Sequence, residues 1–557
     1  MKRFIKVTLF IWSMISTYTL NHLGLVAGTC KELQIAELID KLIEPDPQQK
    51  ITTGQAVVAM IINGLGFSNR PLYLFPQFFE KKPVDILVGK EITPESLNDD
   101  AMGRALDRAY SFGCTELFSY IASAAMNDAG VSKKFGHLDT TTFSVHGDYE
   151  SSGDEDAAIH ITYGHSKLKR PDLKQIYLKL LVSFDGGVPF FMEALDGNSN
   201  DSVTLRETVT KFKKGVKANL EEVNYLVADS KFYSKETIQA VKNDMSWISR
   251  VPESIAEAQR VVAETARMTD RLESMDSGDY FYRRYESRYA GVKQRWLVIF
   301  SKQAEKRSVN TVANAVEKDL EKLEKQAKKL QQEGYFCEAD ARNTLLLLKK
   351  EAKFHTVSIT RIDRKEKYAG RGRPSKNKKK EKKVTFFPRY NIERNENAID
   401  LEMKRRAIFI VATNELSESN LTDQEIFDNY KGQKHVERGF RFLKDPLFFA
   451  SSLFLKKPER IVSLTMIMCL SLLVYSICER RLRMALKEAN ETIKDQLGKP
   501  TQRPTLRWVY QLFEDVHYVK VEIEDSSWTE VKNLRPDGEV ALRILGREYM
   551  DHYLIEG

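Results

Sequence analysis

Two periodicities divide this chain. From about Leu23 to Gly130 apolar positions recur at helical spacing, and helices are predicted over Gly54 to Leu65 and Asp100 to Asn127. From His137 the pattern turns β-rich. Strands are predicted over His137 to Val145, Ile176 to Phe184, Val188 to Leu195 and Val223 to Ala228. Asp185-Gly186-Gly187 marks a hairpin turn, because glycine tolerates positive φ. A helix from Ser202 to Leu220, another from Ser234 to Asn243 and a strand from Trp247 to Val251 complete this stretch.

The pattern then changes again. Aromatic strands are predicted over Tyr280 to Tyr289 and Gln294 to Phe300, followed by a helix with Val316, Leu320, Leu323, Ala327 and Leu330 at alternating four and three spacing. Gly334 breaks it, and a second helix from Glu338 to Lys353 suggests an antiparallel helical hairpin whose leucines pack a core. A strand from Arg406 to Thr413 returns the chain to the earlier fold.

Two apolar runs need separate readings. Lys2, Arg3 and Lys6 before Val7 to Leu20 imitate a secretory signal, yet no small-x-small site directly follows, so residues 1–20 are read as a hydrophobic N-terminal extension. Ile461 to Cys478 has no charged residue, but Ser463, Thr465, Ser471 and Ser476 favour a buried helix, and no membrane partner is expected.

Length sets the scale: 557 residues suggest about three or four domains. The five cysteines are far apart, without zinc spacing, and are read as reduced, mainly buried thiols. Charge is uneven. Arg364 to Lys383 holds eleven Lys/Arg against two Glu, a local +9, which leaves the remainder near −1 of the formal +8. Within it Arg371, Gly372, Arg373 and Pro374 resemble an AT-hook core, an extended arm for the minor groove of A·T-rich DNA. A solvated basic loop touching any polyanion is the plainer reading.

Three carboxylates carry the chemistry. Asp139 and Asp229 lie on or just after predicted strands, and Glu437 lies in a helical stretch. Around the glutamate, Tyr430, Gln433, Glu437 and Lys444 fall at offsets 0, 3, 7 and 14 of a presumed single helix, a stripe about 60° wide. Arg441 borders the stripe, and Val436, Phe440 and Leu443 gather to one side as a buried flank. One face can therefore hold a metal ligand, a cation for phosphate and an aromatic hydroxyl.

That helix resembles the DDE insertion-sequence transposases, whose glutamate lies in a Tyr-x2-Arg-x3-Glu-x6-Lys signature. The departure is Gln433 where arginine is usual, which keeps a hydrogen-bond donor but no charge. The resemblance runs from about Asn21 to Ile461 and looks like the long-insertion branch, since 437 − 229 = 208 positions separate the last two carboxylates against 229 − 139 = 90 for the first two. It implies an α/β fold with a ribonuclease H-like core, matching the order strand, hairpin strands, helix, strand.

The expected organisation is a helical domain over 21–130 that recognises DNA ends, a catalytic core over 131–254 and 405–487, a mixed insertion with a basic arm over 255–404, and a C-terminal region, 488–557, for dimerisation. Asp139, Asp229 and Glu437 are expected to bind two Mg²⁺ or Mn²⁺ ions. Tyr430, Gln433, Arg441, Lys444, Arg371 and Arg373 are the expected DNA contacts. The implied activity is hydrolysis at element ends followed by joining of the 3′-hydroxyls to target DNA, by a homodimer on double-stranded DNA carrying terminal inverted repeats. The implied location is the cytoplasm, at the nucleoid.

Other readings stay open on the residues alone. A ribonuclease H-like nuclease without strand transfer uses the same metals, and an inactive DNA-binding remnant is disfavoured by the intact trio. His137, His146, His160 and His165 offer a zinc set, but their spacings match no compact zinc pattern. Arg170-Pro171-Asp172 is read as a loop near the site.

Overall fold

The computed structural model describes residues 13–67, 70–145, 149, 158–167, 170–199, 223–242, 245–368, 382–445, 455–523 and 526–555. The chain forms two compact units, one of residues 1–249, 290–292 and 427–557, the other of residues 250–289 and 293–426. The predicted helix from Ser202 to Leu220, and Arg371 with Arg373, lie outside the described residues.

The first unit opens with β1 (Ser13–Thr19), followed by helices α1 (Leu23–Glu32), α2 (Ile35–Leu42) and α3 (Thr53–Leu65). A capping box starts α3: Thr52 Oγ1 accepts from Gln55 N at 3.1 Å and Thr52 N donates to Gln55 Oε1 at 3.0 Å. The single helix predicted from Asp100 to Asn127 is two helices, α4 (Asp99–Phe112) and α5 (Cys114–Asp128). Gly113 divides them at φ +110°, a conformation that apolar periodicity does not reveal.

Next come β2 (Phe135–Val145), β3 (Lys174–Ser183), β4 (Pro189–Leu195), β5 (Tyr225–Ala228), helix α6 (Lys235–Ala240) and β6 (Ser246–Arg250). They pair in the order β4-β3-β2-β5-β6. The β2-β3 and β3-β4 pairs are antiparallel, whereas β2-β5 and β5-β6 are parallel. This is the ribonuclease H-like order, and the chain has that α/β fold. Nearly every residue of β2 and β3 is buried, which is why these strands read as apolar runs.

The second unit contains α7 (Ala256–Ala266), β7 (Tyr280–Ser287), β8 (Gln294–Ser301), α8 (Lys302–Gln332), α9 (Glu338–Glu351), β9 (His355–Tyr368), β10 (Lys382–Arg394), α10 (Glu396–Arg406) and β11 (Ile408–Thr413). Antiparallel pairing gives the order β11-β8-β7. The flanks of the basic arm are not a loop but a long antiparallel ribbon, β9 with β10. Leu323 and Ala327 of α8, Leu348 of α9 and Val357 of β9 share one core, so the helices pack on the ribbon. Buried Asp319 of α8 holds its root, accepting from Phe354 N and from the His355 ring, each at 2.9 Å.

The chain re-enters the first unit through α11 (Asp423–Gly432) and α12 (Lys434–Leu443), then α13 (Pro458–Glu488), α14 (Leu506–Leu512), β12 (His517–Ile523) and β13 (Ser526–Lys532). Helix α13 holds the apolar run from Ile461; it is long and apolar enough to cross a membrane, and 83% of its most apolar window is buried inside the fold. It packs against α3, α4, α5, β4 and α12. Near its start Ser463 Oγ donates to Leu106 O at 2.8 Å, and Arg460 clasps Asp107 with two bonds of 2.7 Å. Part of the predicted N-terminal extension is built into the fold, because β1 pairs with β12 along its whole length.

Candidate active site

Asp229 follows the last residue of β5, and Asp139 lies within β2 at the point where its pairing with β5 stops. Leu138 of β2 is in parallel register with Ala228, the last residue of β5, so Asp139 and Asp229 each follow a paired residue. They emerge side by side on neighbouring strands about 4.8 Å apart. Both are half-buried. Asp139 Oδ1 accepts from Thr140 N at 2.7 Å; Asp229 Oδ1 accepts from Lys231 N at 2.9 Å, and its carbonyl accepts from Ser249 Oγ at 2.8 Å.

Helix α12 lies against β2 and is tied to it at both ends. Gln433 Nε2 donates to Leu138 O at 3.1 Å, and its Oε1 meets His137 Nδ1 at 3.3 Å. Eleven residues later Lys444 Nζ donates to Thr141 Oγ1 at 2.5 Å and lies 5.6 Å from the Phe143 ring centroid. His137, Thr141 and Phe143 share one strand face with Asp139, since side chains alternate. At 1.5 Å per residue Glu437 falls about 6 Å along the helix from Gln433. At 3.3 Å per residue Asp139 falls about 6.6 Å along the strand from His137. Glu437 therefore lies between the two ties on the helix, as Asp139 does on the strand.

Glu437 is exposed, and among the described residues no group of three or more His, Cys, Asp or Glu side chains stands close enough to hold a metal ion. The sheet supplies two carboxylates side by side, and Glu437 stands on α12, the helix bonded to β2 on either side of Asp139. Hard oxygen donors of this kind fit Mg²⁺ or Mn²⁺.

The single helix expected from Tyr430 to Lys444 is divided at Gln433. Gln433 keeps helical angles, φ −54° and ψ −26°, while its amide turns into the sheet. Gly432 makes that approach feasible: a Cβ there would stand 2.6 Å from the Phe184 ring and 3.1 Å from His137. Glu437 thus belongs to α12 with Lys444 as its C-cap, Tyr430 sits half-buried in the last turn of α11, and Gln433 is engaged by protein. Arg441 is exposed on α12.

Electrostatics single out Lys444. Burial lowers its pKa to about 8, repulsion from Lys167 adds to this, and Asp139 opposes it. Lys167 is anchored on β2, donating to Thr140 O at 2.5 Å and Thr140 Oγ1 at 2.7 Å. Neither Lys167 nor Thr141 carries a signal that sequence reading could use, because both act through contacts distant in the chain.

His137, weighed as a zinc ligand, bonds Gln433, and its ring stacks on Phe184, which stacks in turn on His435 at centroid distances of 5.9 and 5.8 Å. Burial, with His435 nearby, lowers its pKa to about 4 and keeps it neutral. His160 N donates to Asp196, and the His165 carbonyl accepts from Tyr177; His146 lies outside the described residues. Arg170 clasps Asp172 with bonds of 2.8 and 2.6 Å, so that loop is closed on itself.

A mixed sheet with carboxylates on adjacent parallel strands and a glutamate helix tied to one of them is the arrangement of a phosphoryl-transfer enzyme of the ribonuclease H-like class. Residues 132–474 match the family described as "Transposase DDE domain", and residues 15–123 match "Domain of unknown function (DUF4277)". The first match spans 474 − 132 + 1 = 343 of 557 residues, and the chain belongs to the DDE transposase family. It is a DNA transposase, of a family that generally uses divalent metal ions. Among solved structures it is similar to a piggyBac transposase synaptic complex with hairpin DNA, at 8% identity and a TM-score of 0.33, covering 88% of this chain and 78% of that one. No curated protein matches the chain.

Proposed function

We propose that Asp139, Asp229 and Glu437 form the catalytic centre of an insertion-sequence transposase that cuts the ends of its element and joins them to target DNA. One observation supports this reading: Asp139 and Asp229 come side by side on adjacent parallel strands, and Glu437 lies on α12 between the two ties to β2 that flank Asp139. The three carboxylates would hold two Mg²⁺ or Mn²⁺ ions, which supply positive charge at the entering and leaving oxygens of an in-line displacement at phosphorus.

Lys444 sits beside Asp139 and neutralises a phosphate of the element end. Tyr430 offers its phenol to a neighbouring phosphate, Arg441 reaches the backbone from the exposed side of α12, and Gln433 holds the start of that helix on β2. Water attacks phosphorus first; one P–O bond forms, another breaks, and a 3′-hydroxyl is released. That hydroxyl then displaces an oxygen at a second phosphodiester, without a protein-bound intermediate. In the hairpin pathway the second phosphodiester is on the opposite strand, and the hairpin is reopened before insertion.

Residues 21–130 read the terminal inverted repeats, the basic segment with Arg371 and Arg373 contacts DNA, and two copies, joined through 488–557, hold the two ends in the cytoplasm at the nucleoid. Labelled terminal-repeat DNA incubated with the protein and Mn²⁺ tests the reading. Nicked ends followed by hairpin or joined products are expected. Cleavage without joining would instead make this a ribonuclease H-like nuclease, and an intact substrate would leave an inactive DNA-binding protein.

A further inference from the structure

On the other side of the glutamate helix lies a cavity of about 550 Å³, bounded by α12, the C-terminal half of α13, the loop before α14 and the β3-β4 turn. Five arginines line it: Arg438 and Arg441 from α12, Arg483 from α13, and Arg503 and Arg507 from the loop and α14. Against them stand two carboxylates, Asp445 and Glu479, a lining charge of 5 − 2 = +3 with His435 neutral. Both acids are already engaged. Arg507 holds Asp445 at 2.7 Å and Arg483 holds Glu479 at 2.8 Å. Arg438, Arg441 and Arg503, all exposed, are left without a carboxylate among the lining residues.

The cavity is built. Glu479 Oε2 accepts from Leu506 N at 2.9 Å, the Tyr475 hydroxyl accepts from Arg507 N at 3.0 Å, and Arg483 Nε donates to Pro504 O at 2.8 Å, so the loop is bound to α13 at three points. Opposite, the β3-β4 turn packs on α12, and a Cβ on Gly187, at φ +65°, would stand in van der Waals contact with His435 at 3.4 Å. Crowded cations pay for this arrangement: Arg438 and Arg503 both add to the burial that lowers the pKa of Arg483. Such a pocket suits an anion. Arginine's planar fork suits phosphate oxygens, and several arginines in one place suit consecutive phosphates of one strand.

Its position says which anion. Arg441 lies about 40° round α12 from Glu437 and Arg438 about 100°, so the cationic face continues directly from the catalytic edge. We propose that this cavity binds backbone phosphates of the DNA duplex that the catalytic carboxylates engage, a second track on the side of α12 away from β2; the proposal rests on the transposase reading above. Being a backbone contact, it is independent of sequence.

The test uses the full chain, a generic 40-bp duplex and the double variant Arg438→Gln/Arg503→Gln, compared with Arg271→Gln/Arg342→Gln, which removes two exposed arginines of the second unit. Affinity is measured across a salt series in the Asp139→Ala background, where binding is read without cleavage. The cavity variant is expected to bind at least about tenfold more weakly, with the slope of log K against log salt smaller by about 2. The control variant is expected to match the parent. Equal loss in both variants, or no loss in the cavity variant, overturns the cavity while leaving the transposase reading intact. If the parent protein binds no DNA, both fall.

Discussion

Lys444 donates to the Thr141 hydroxyl at 2.5 Å, two residues beyond Asp139 on the same face of β2. A half-buried ammonium that meets a neutral hydroxyl, and is repelled by Lys167, is incompletely compensated. The position suits a cation awaiting an external anion, and the bond to Thr141 fixes where that anion sits.

Replacing Lys444 with methionine keeps the stem and removes the charge. Loss of a charge-assisted bond of roughly 1.5–3 kcal/mol should weaken binding of pre-cleaved end DNA by about tenfold to a hundredfold. The melting temperature should hold or rise, since a poorly solvated charge is gone. Fluorescence anisotropy with labelled ends checks this; unchanged affinity would remove Lys444 from the DNA path.

Asp139→Asn, Asp229→Asn and Glu437→Gln each conserve shape and remove one negative charge. Changing a group that merely supports a metal ligand costs about ten- to a hundredfold, so changing a ligand itself should slow end cleavage by more than about a hundredfold. Joining of pre-cleaved ends should fall in parallel, while duplex binding persists. Single-turnover assays of the two steps decide it: any of the three variants cleaving at near wild-type rate is not missing a ligand.

The strand order was legible because β2 and β3 are buried on both faces and the hairpin turn contains Gly186 and Gly187 at positive φ. The division of the glutamate helix was not. Apolar spacing runs on unbroken through Val436 and Phe440, whereas the interruption falls at Gln433, whose side chain bonds β2 far away in sequence. The β9-β10 ribbon escaped for another reason. Arg361, Asp363, Lys365 and Lys367 alternate with few buried residues, so backbone pairing and charge pairs such as Arg389 with Asp363 hold it, not an apolar face. The arginine cavity draws on residues 438 to 507, and of these only the spacing of Arg438 and Arg441 on one helix carries a local signal.

Gly432→Ala probes the close approach that orients α12. A Cβ 2.6 Å from the Phe184 ring forces a shift, and overpacking of this kind costs about 1–3 kcal/mol. Cleavage should fall further than stability alone explains, because Glu437 rides on the displaced helix. Phe184→Leu in the same chain should recover part of both. Urea unfolding and cleavage rates measured together test this, and a fully active, fully stable Gly432→Ala would show that the approach does not position the glutamate.

His22 supplies a prediction about acid stability remote from the catalytic carboxylates. Its ring is buried, donates Nε2–H to Leu65 O at 2.8 Å and stacks on Tyr510 at 4.3 Å. Burial lowers its pKa from 6.5 to about 4, against the raising effect of the Leu65 carbonyl. Between those values the unfolded chain takes up a proton that the folded chain refuses, so stability falls as pH drops from 6.5 and the loss levels off below about 4. At pH 5 the expected contribution is on the order of 2 kcal/mol. His22→Gln retains a donor for Leu65 without a titrating ring, and should lose less stability than wild type between pH 7 and pH 5. Urea midpoints at the two pH values measure the difference, and parallel losses in both proteins would show that His22 is not held neutral by the fold.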